Sequence, residues 1–298
     1  MSTAARHRLA DLVASRHCVV SDGAIGTMIQ AAGLDDGTCG ELWNLEQPDR
    51  VRAIHQAYAD AGASFLTTNT FGGTAARLEL SGLADRTAEI NREGARIARE
   101  VADAAGILVA GDVGPTGELI EPLGTLSPER ARELFAEQVA ALVDGGADLI
   151  LIETMSDLAE MEAAVLGARD AAPDLEIVAT MSFDTNRHTM MGVSPAQAVQ
   201  RMAELGVTAA GANCGRGLED IEAVMADMAA ARPDGILLIA QSNAGLPHMH
   251  GDSFVYDVSA EQMAGYARRL RDLGVEVVGG CCGSTPEHVR AMADALAG

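Results

Sequence analysis

Eight short apolar runs recur along the chain, at residues 18–20, 64–68, 107–110, 149–152, 177–180, 207–210, 236–240 and 275–278. Each is nearly continuous in apolar character and is followed by a polar or glycine-rich turn, the pattern of parallel strands buried on both faces. Amphipathic helices lie between them. Pro48 opens one, with Val51, Ile54 and Tyr58 as its apolar stripe and Gly62 at its close. Ser127-Pro128-Glu129 opens another, with Leu134 and Leu142 inward and Gly145-Gly146 at its end. The last starts at Thr285-Pro286-Glu287 and turns Val289, Met292, Ala293 and Leu296 inward. Eight βα units with right-handed crossovers close most simply into an α/β fold of the (β/α)8 TIM-barrel type. A doubly wound open sheet would need a phosphate loop in its first turn, and Asp22-Gly23-Ala24-Ile25-Gly26 matches one poorly. With no linker or shift in composition, residues 1–298 read as a single domain.

The charge balance removes several function classes. Against 43 acidic side chains stand 21 basic ones, a net charge of −22, and no lysine occurs at all. That sign disfavours nucleic acid and anionic membranes as partners. A lysine Schiff base is excluded. No apolar run approaches the roughly 20 residues that span a bilayer, and residues 1–12 lack the apolar core of a secretory leader. The expectation is a soluble cytoplasmic protein. The sequence leaves the oligomeric state open.

Five cysteines, an odd number with two adjacent, do not form a secreted disulfide framework. Gly279-Gly280-Cys281-Cys282-Gly283 follows the eighth run and precedes the last helix. Consecutive side chains of an extended segment point to opposite faces, so two adjacent cysteines cannot both enter one core. The glycines are read as loosening the backbone enough to turn both sulfurs one way, and a metal ion gives them reason to converge. Cys214 ends the sixth run, one strand away from the pair in a barrel. Three thiolates and one open position form the pattern of a catalytic zinc site. Two alternatives stand beside it: buried thiols or a vicinal disulfide, and a closed structural zinc completed by His248 or His250. Cys18 reads as core and Cys39 as incidental.

In a barrel the chemistry lies at the C-terminal strand ends. Asp22, Thr68-Asn69-Thr70, Asp112, Glu153, Asn213 and Asn243 crowd there with the cysteines. Asp22 and Glu153 read equally as ligands or as carboxylates on helix N-termini. Asp112 and Asn69 read as structural residues lining the mouth, and His55 and His188 as surface or second-layer residues. Trp43, the only tryptophan, falls in the long loop after the first strand. Its indole could hold a quaternary ammonium or anchor the loop on the rim.

Asp22 to Gln30, Thr68-Asn69-Thr70-Phe71, Ile152-Glu153-Thr154, Gly211-Ala212-Asn213-Cys214 and Gly279 to Gly283 together resemble the zinc-dependent homocysteine S-methyltransferases. That family includes the betaine and S-methylmethionine enzymes and the homocysteine-binding barrel of cobalamin-dependent methionine synthase. The similarity runs from about Val19 to Leu296. It implies a (β/α)8 barrel with Cys214, Cys281 and Cys282 as Zn2+ ligands. It implies that Asp22 and Glu153 hold the amino group of homocysteine and that backbone amides near Gly23 and Ala24 receive its carboxylate. Asn243 matches an asparagine that would fill the open metal position when substrate is absent. Thr154 stands where animal betaine enzymes carry an aromatic residue, which weakens the case for a full aromatic cage. The activity implied is methyl transfer to homocysteine from a small onium donor, giving methionine. Methylcobalamin or methylfolate supplied in trans is the alternative within that chemistry. A non-catalytic zinc- or thiol-binding barrel and a phosphate-binding barrel are the alternatives outside it.

Overall fold

The computed structural model describes residues 8–34, 37–250 and 253–297. The opening residues 1–7, on which part of the leader reading rests, lie outside them. Eight parallel strands form one sheet: β1 (Val19–Val20), β2 (Phe65–Thr67), β3 (Leu108–Val113), β4 (Leu149–Met155), β5 (Glu176–Met181), β6 (Ala209–Cys214), β7 (Leu237–Ser242) and β8 (Val277–Gly280). Their order is β1-β8-β7-β6-β5-β4-β3-β2. The edge strands meet at a short seam, where Ser21 bridges Phe65 and the Ser64 amide donates to the Val20 carbonyl at 2.7 Å. The sheet is thereby closed into the expected barrel.

Alternation along the strands builds two cores. Val19, Phe65, Leu108, Leu151, Val178 and Ile239 belong to one cluster, inside the barrel. Their neighbours Val20, Leu66, Val109, Ile150, Ile152 and Val278 pack outward against the helices. Both faces of every strand are buried, so the runs read as continuously apolar. The helix Leu9–Arg16 closes the N-terminal end of the barrel by adding Leu9 and Val13 to the inner cluster. Its first amides donate to Glu176 at the start of β5, Leu9 N–H at 2.7 Å and Ala10 N–H at 3.2 Å.

Helix boundaries follow the punctuation. Pro48–Asp60 buries Val51, Ile54 and Tyr58, and Gly62 follows in the left-handed region. Ser127 caps Pro128–Asp144 by accepting from the Arg130 amide, and Thr285 caps Pro286–Leu296. Strand ends differ from expectation. β3, β4, β6 and β7 each run two to four residues beyond the apolar run that marked them: ladder pairing continues through polar residues in β3, β6 and β7, and in β4 it resumes at Met155 after a break in register at Glu153 and Thr154. Asp112, Glu153 and Cys214 therefore sit on strands, not in turns. Gly279 and Gly280 are also in the ladder, opposite Gln241 and Ser242. Their role is close approach and not looseness: a Cβ on Gly279 would stand 1.8 Å from Ser21 Oγ, and one on Gly280 2.2 Å from Ser284 Oγ. A two-stranded hairpin, His248–His250 with Ser253–Val255, rises from the loop after β7 and was not legible in so short and polar a stretch. Among the described residues no helix is long and apolar enough to cross a membrane.

Candidate metal centre and substrate cavity

β7 lies between β6 and β8, and its last residue sets the metal centre. Ser242 pairs with Cys214 on one side, and its carbonyl accepts the Cys281 amide at 2.8 Å on the other. Cys214 takes a left-handed backbone, φ 61°, which kinks its side chain off the strand direction. The result is one cluster in which the sulfurs of Cys214, Cys281 and Cys282 all lie within 4.8 Å of one another, those of Cys214 and Cys281 3.0 Å apart. All three are free thiols, so no vicinal disulfide forms. Gly283, at φ 78°, lies flat under the ring of Tyr256, whose Cγ occupies the space a Cβ would need, at 2.1 Å.

Asn213 organises the sulfurs from behind. Its amide nitrogen donates to Thr154 Oγ1 at 2.6 Å and lies 3.6 Å from Cys214 Sγ and 3.9 Å from Cys281 Sγ. Its oxygen accepts from the Thr154 amide at 2.9 Å and from Thr180 Oγ1 at 2.8 Å. Thr154 is also left-handed, φ 62°, so β4 and β6 both turn where Asn213 joins them. Hydrogen bonding from Cys214, then from Cys281, pulls the Cys282 thiol down to about 3. Hydrogen bonding with Cys214 and with Cys282, followed by burial, pushes Cys281 well up. The mutual hydrogen bonding favours the thiolate at Cys282, and a thiolate is the form that binds a metal.

In front of the sulfurs opens a cavity of about 430 Å³. Glu153, Asp112 and Glu41 line it together with the cysteines, Thr68, Asn69, Thr70 and Thr154, and Ile25, Ile29, Leu34 and Phe71 supply an apolar wall. No arginine or histidine is among the lining residues. Burial, then the Cys282 charge and Asp22, pushes Glu153 up to about 8. Burial, then Glu153, Asp22 and Glu41, pushes Asp112 well above the usual carboxylate range. A larger groove of about 620 Å³ lies between the helices Leu218–Ala231 and Ala260–Asp272. Its arginines pair with acids of the same surface, Arg269 with Glu222 and Arg216 with Asp220, as on an ordinary solvated face.

The residues singled out in the sequence divide into two groups. Cys214, Cys281, Cys282, Glu153 and Ala24 meet in the cavity. Asp22, Gly23, Asn243 and Trp43 are not among its lining residues. Asp22 is buried just behind the wall, with both carboxylate oxygens taken by Thr67, one by its amide and one by its hydroxyl, each at 2.7 Å. Burial lifts it to about 7. Gly23 packs against Tyr58 and Ser284 with no room for a Cβ, and the Ala24 amide donates to Ser284 Oγ at 3.2 Å. The Asn243 amide group donates to the Gly215 carbonyl at 2.9 Å, and its buried oxygen has no partner among the described residues.

Trp43 is 8 % exposed, packs in the outer core, and is covered by the Arg50 guanidinium 5.3 Å from its ring. It anchors the loop, and its indole is spent on packing. His248 pairs with Asp257 at 3.3 Å and joins no metal cluster among the described residues; the His250 side chain lies outside them. Cys18 is core, and Cys39 donates to Glu41 at 3.2 Å. His188 is exposed, whereas His55 is fully buried with neither ring nitrogen partnered, and burial holds it down to about 4. Sequence reasoning underrated Asp112, Asn213 and Tyr256. The signal for Asp112 was a charge embedded in an otherwise apolar strand; Tyr256 had none.

Barrel and cluster define the class: a (β/α)8 protein with three convergent cysteines, able to hold a metal ion, at its C-terminal mouth. The profile of the Homocysteine S-methyltransferase family matches residues 19–296, and the chain belongs to that family. It is 35 % identical to the methionine synthase of Mycobacterium tuberculosis over 96 % of its own length, and 33 % identical to that of Mycobacterium leprae over 95 %. The chain spans about a quarter of the length of these relatives, 25 % and 24 %. The metallated homocysteine methyltransferase MmuM from Escherichia coli superimposes with a TM-score of 0.80 at 26 % identity, covering 96 % of this chain and 99 % of that one.

Proposed function

We propose that this protein transfers a methyl group from a small onium donor to the thiol of homocysteine, giving methionine, with Zn2+ held by Cys214, Cys281 and Cys282. The observation that carries the reading is the placement of three convergent sulfurs on the wall of an amino-acid-sized cavity that, among the described residues, has acids but no bases. The donor set suits zinc, and the orphaned Asn243 oxygen on the adjoining loop suits a fourth ligand in the resting site. Zinc bound there would supply the positive charge that removes the proton from an incoming thiol.

The chain's own groups do the rest. Glu153 faces the substrate ammonium. The Ala24 amide, bonded to Ser284 Oγ, can exchange that long contact for the substrate carboxylate. Ile25, Ile29, Leu34 and Phe71 keep water from the reacting atoms. The sulfur electron pair forms the new S–CH3 bond as the methyl–onium bond breaks, the thiol proton leaves to solvent, and the donor departs neutral. The surplus of negative charge around the cavity favours a cationic donor over a neutral one.

A second reading has its own support: a methyl-corrinoid carried on a separate protein. Leu119, Leu123, Met190, Leu246 and Met249 are exposed, and all lie on the loops after β3, β5 and β7, around the mouth. Incubation of the zinc-loaded protein with homocysteine and, in turn, betaine, a dimethylsulfonio compound, S-methylmethionine and methylcobalamin, with methionine as the readout, separates the two. Methionine from a small onium donor supports the first reading. Methionine from methylcobalamin alone favours the second, and none from any donor sinks the first.

A further inference from the structure

In the functional reading above, zinc would be surrounded by the sulfurs of Cys214, Cys281 and Cys282 and by that of homocysteine, and with the metal in place all of them would be thiolates. A thiolate is a nucleophile whichever residue carries it. Methylation of a cysteine would leave a thioether, a poor ligand, and spoil the site. The chain therefore has to make its own sulfurs less reactive than the one that arrives.

Asn213 stands where it can do this. It is fully buried on β6, behind the cysteines. Which way its amide faces is fixed by chemistry: the Thr154 backbone N–H can only donate, so the Asn213 atom 2.9 Å from it is the oxygen, which also accepts from Thr180 Oγ1 at 2.8 Å. The amide nitrogen is then turned to the sulfurs. One of its two protons goes to Thr154 Oγ1, and the other is shared between Cys214 Sγ at 3.6 Å and Cys281 Sγ at 3.9 Å. Thr154 Oγ1, having accepted from Asn213, keeps its own proton for Cys214 Sγ at 3.9 Å. Cys282 differs: it accepts from its own backbone amide and from the two thiols, whose protons a bound metal would displace.

We propose that Asn213 is a positioning residue that steers the methyl group away from the protein: its shared N–H draws electron density from the sulfurs of Cys214 and Cys281 and leaves the substrate thiolate the better nucleophile. Hydrogen bonds from groups behind a metal site tune its ligands in this way. The assignment rests on the functional reading above and adds to it a reason for the buried amide.

The test uses methyl iodide in place of the natural donor and leaves homocysteine out, so that the cysteines compete among themselves. The sulfur electron pair forms the S–CH3 bond and iodide leaves. Wild-type protein and the Asn213→Leu, Asn213→Asp and Thr180→Val variants are loaded with zinc, freed of excess metal and unfolded material, treated briefly, and the methylated cysteine is located by peptide mass spectrometry. Methylation of Cys214 and Cys281 relative to Cys282 is expected to rise about fivefold or more in both Asn213 variants, and to change by less than about twofold in Thr180→Val, which disturbs the same cluster but removes no N–H. An unchanged ratio in the Asn213 variants, or an equal rise in Thr180→Val, overturns the assignment. Loss of zinc from both Asn213 variants also overturns it, because the residue would then serve metal binding alone. These outcomes involve neither homocysteine nor its donor, so they leave the functional reading standing; a wild-type protein that takes up no zinc overturns both.

Discussion

The two ends of the barrel bury acids in opposite ways. At the closed end Glu176 is 5 % exposed, accepts two amides from the helix Leu9–Arg16 and lies 3.6 Å from Arg8. At the open end Asp112 is 4 % exposed and has an oxygen with no partner, while burial raises Glu153. Both ends remove carboxylates from water, at a cost that hydrogen bonds, opposite charge or uptake of a proton offset. One end offsets it within the chain and gains stability. The other leaves an acceptor without a partner on the cavity wall, and that asymmetry sets the mouth apart independently of any motif.

Breaking the metal centre tests the contrast most severely. The double variant Cys281→Ser/Cys282→Ser should fall from about one zinc per chain to near none, with methyl transfer down by more than about a thousandfold; full metal content by elemental analysis would refute the ligand assignment. A smaller effect is expected at Trp43, on the mouth side of the chain but in the packing layer. Trp43→Ala should cost about 3 kcal/mol or more of stability by chemical denaturation, while the KM for an onium donor stays within about twofold; a large rise in KM would return the indole to the donor site. The smallest change belongs to the closed end. Glu176→Gln should lower stability by about 1–2 kcal/mol through the weakened helix N-terminus and leave activity per folded molecule unaltered; lost activity would mean that the two ends are not separable.

Much of the fold was legible because burial on both faces writes each strand as an unbroken apolar run. The strand ends were not, because a ladder bond does not care whether a side chain is Ala212 or Asn213. The cysteine cluster was legible through the improbability of Cys281 beside Cys282. Asp112 was not, since a charge within Leu108–Val113 reads the same whether it faces solvent or a cavity. The left-handed turns at Thr154 and Cys214 carry no glycine to announce them, and they exist only because Asn213 joins two strands that are distant in sequence. Trp43 read equally as a donor site and as a loop anchor because a tryptophan's identity says nothing of which way its ring turns.

The hydroxyl of Tyr58 reaches two carbonyls, Ala24 at 2.9 Å and Ser284 at 3.0 Å, and Ser284 in turn grips the Ala24 amide and the Cys281 carbonyl. One phenol thus rivets the turn at Ala24 to the segment bearing the paired sulfurs. Neither part can drift without dragging the other, so the spacing between them is set like the jaw of a caliper, by a side chain that is not among those lining the cavity.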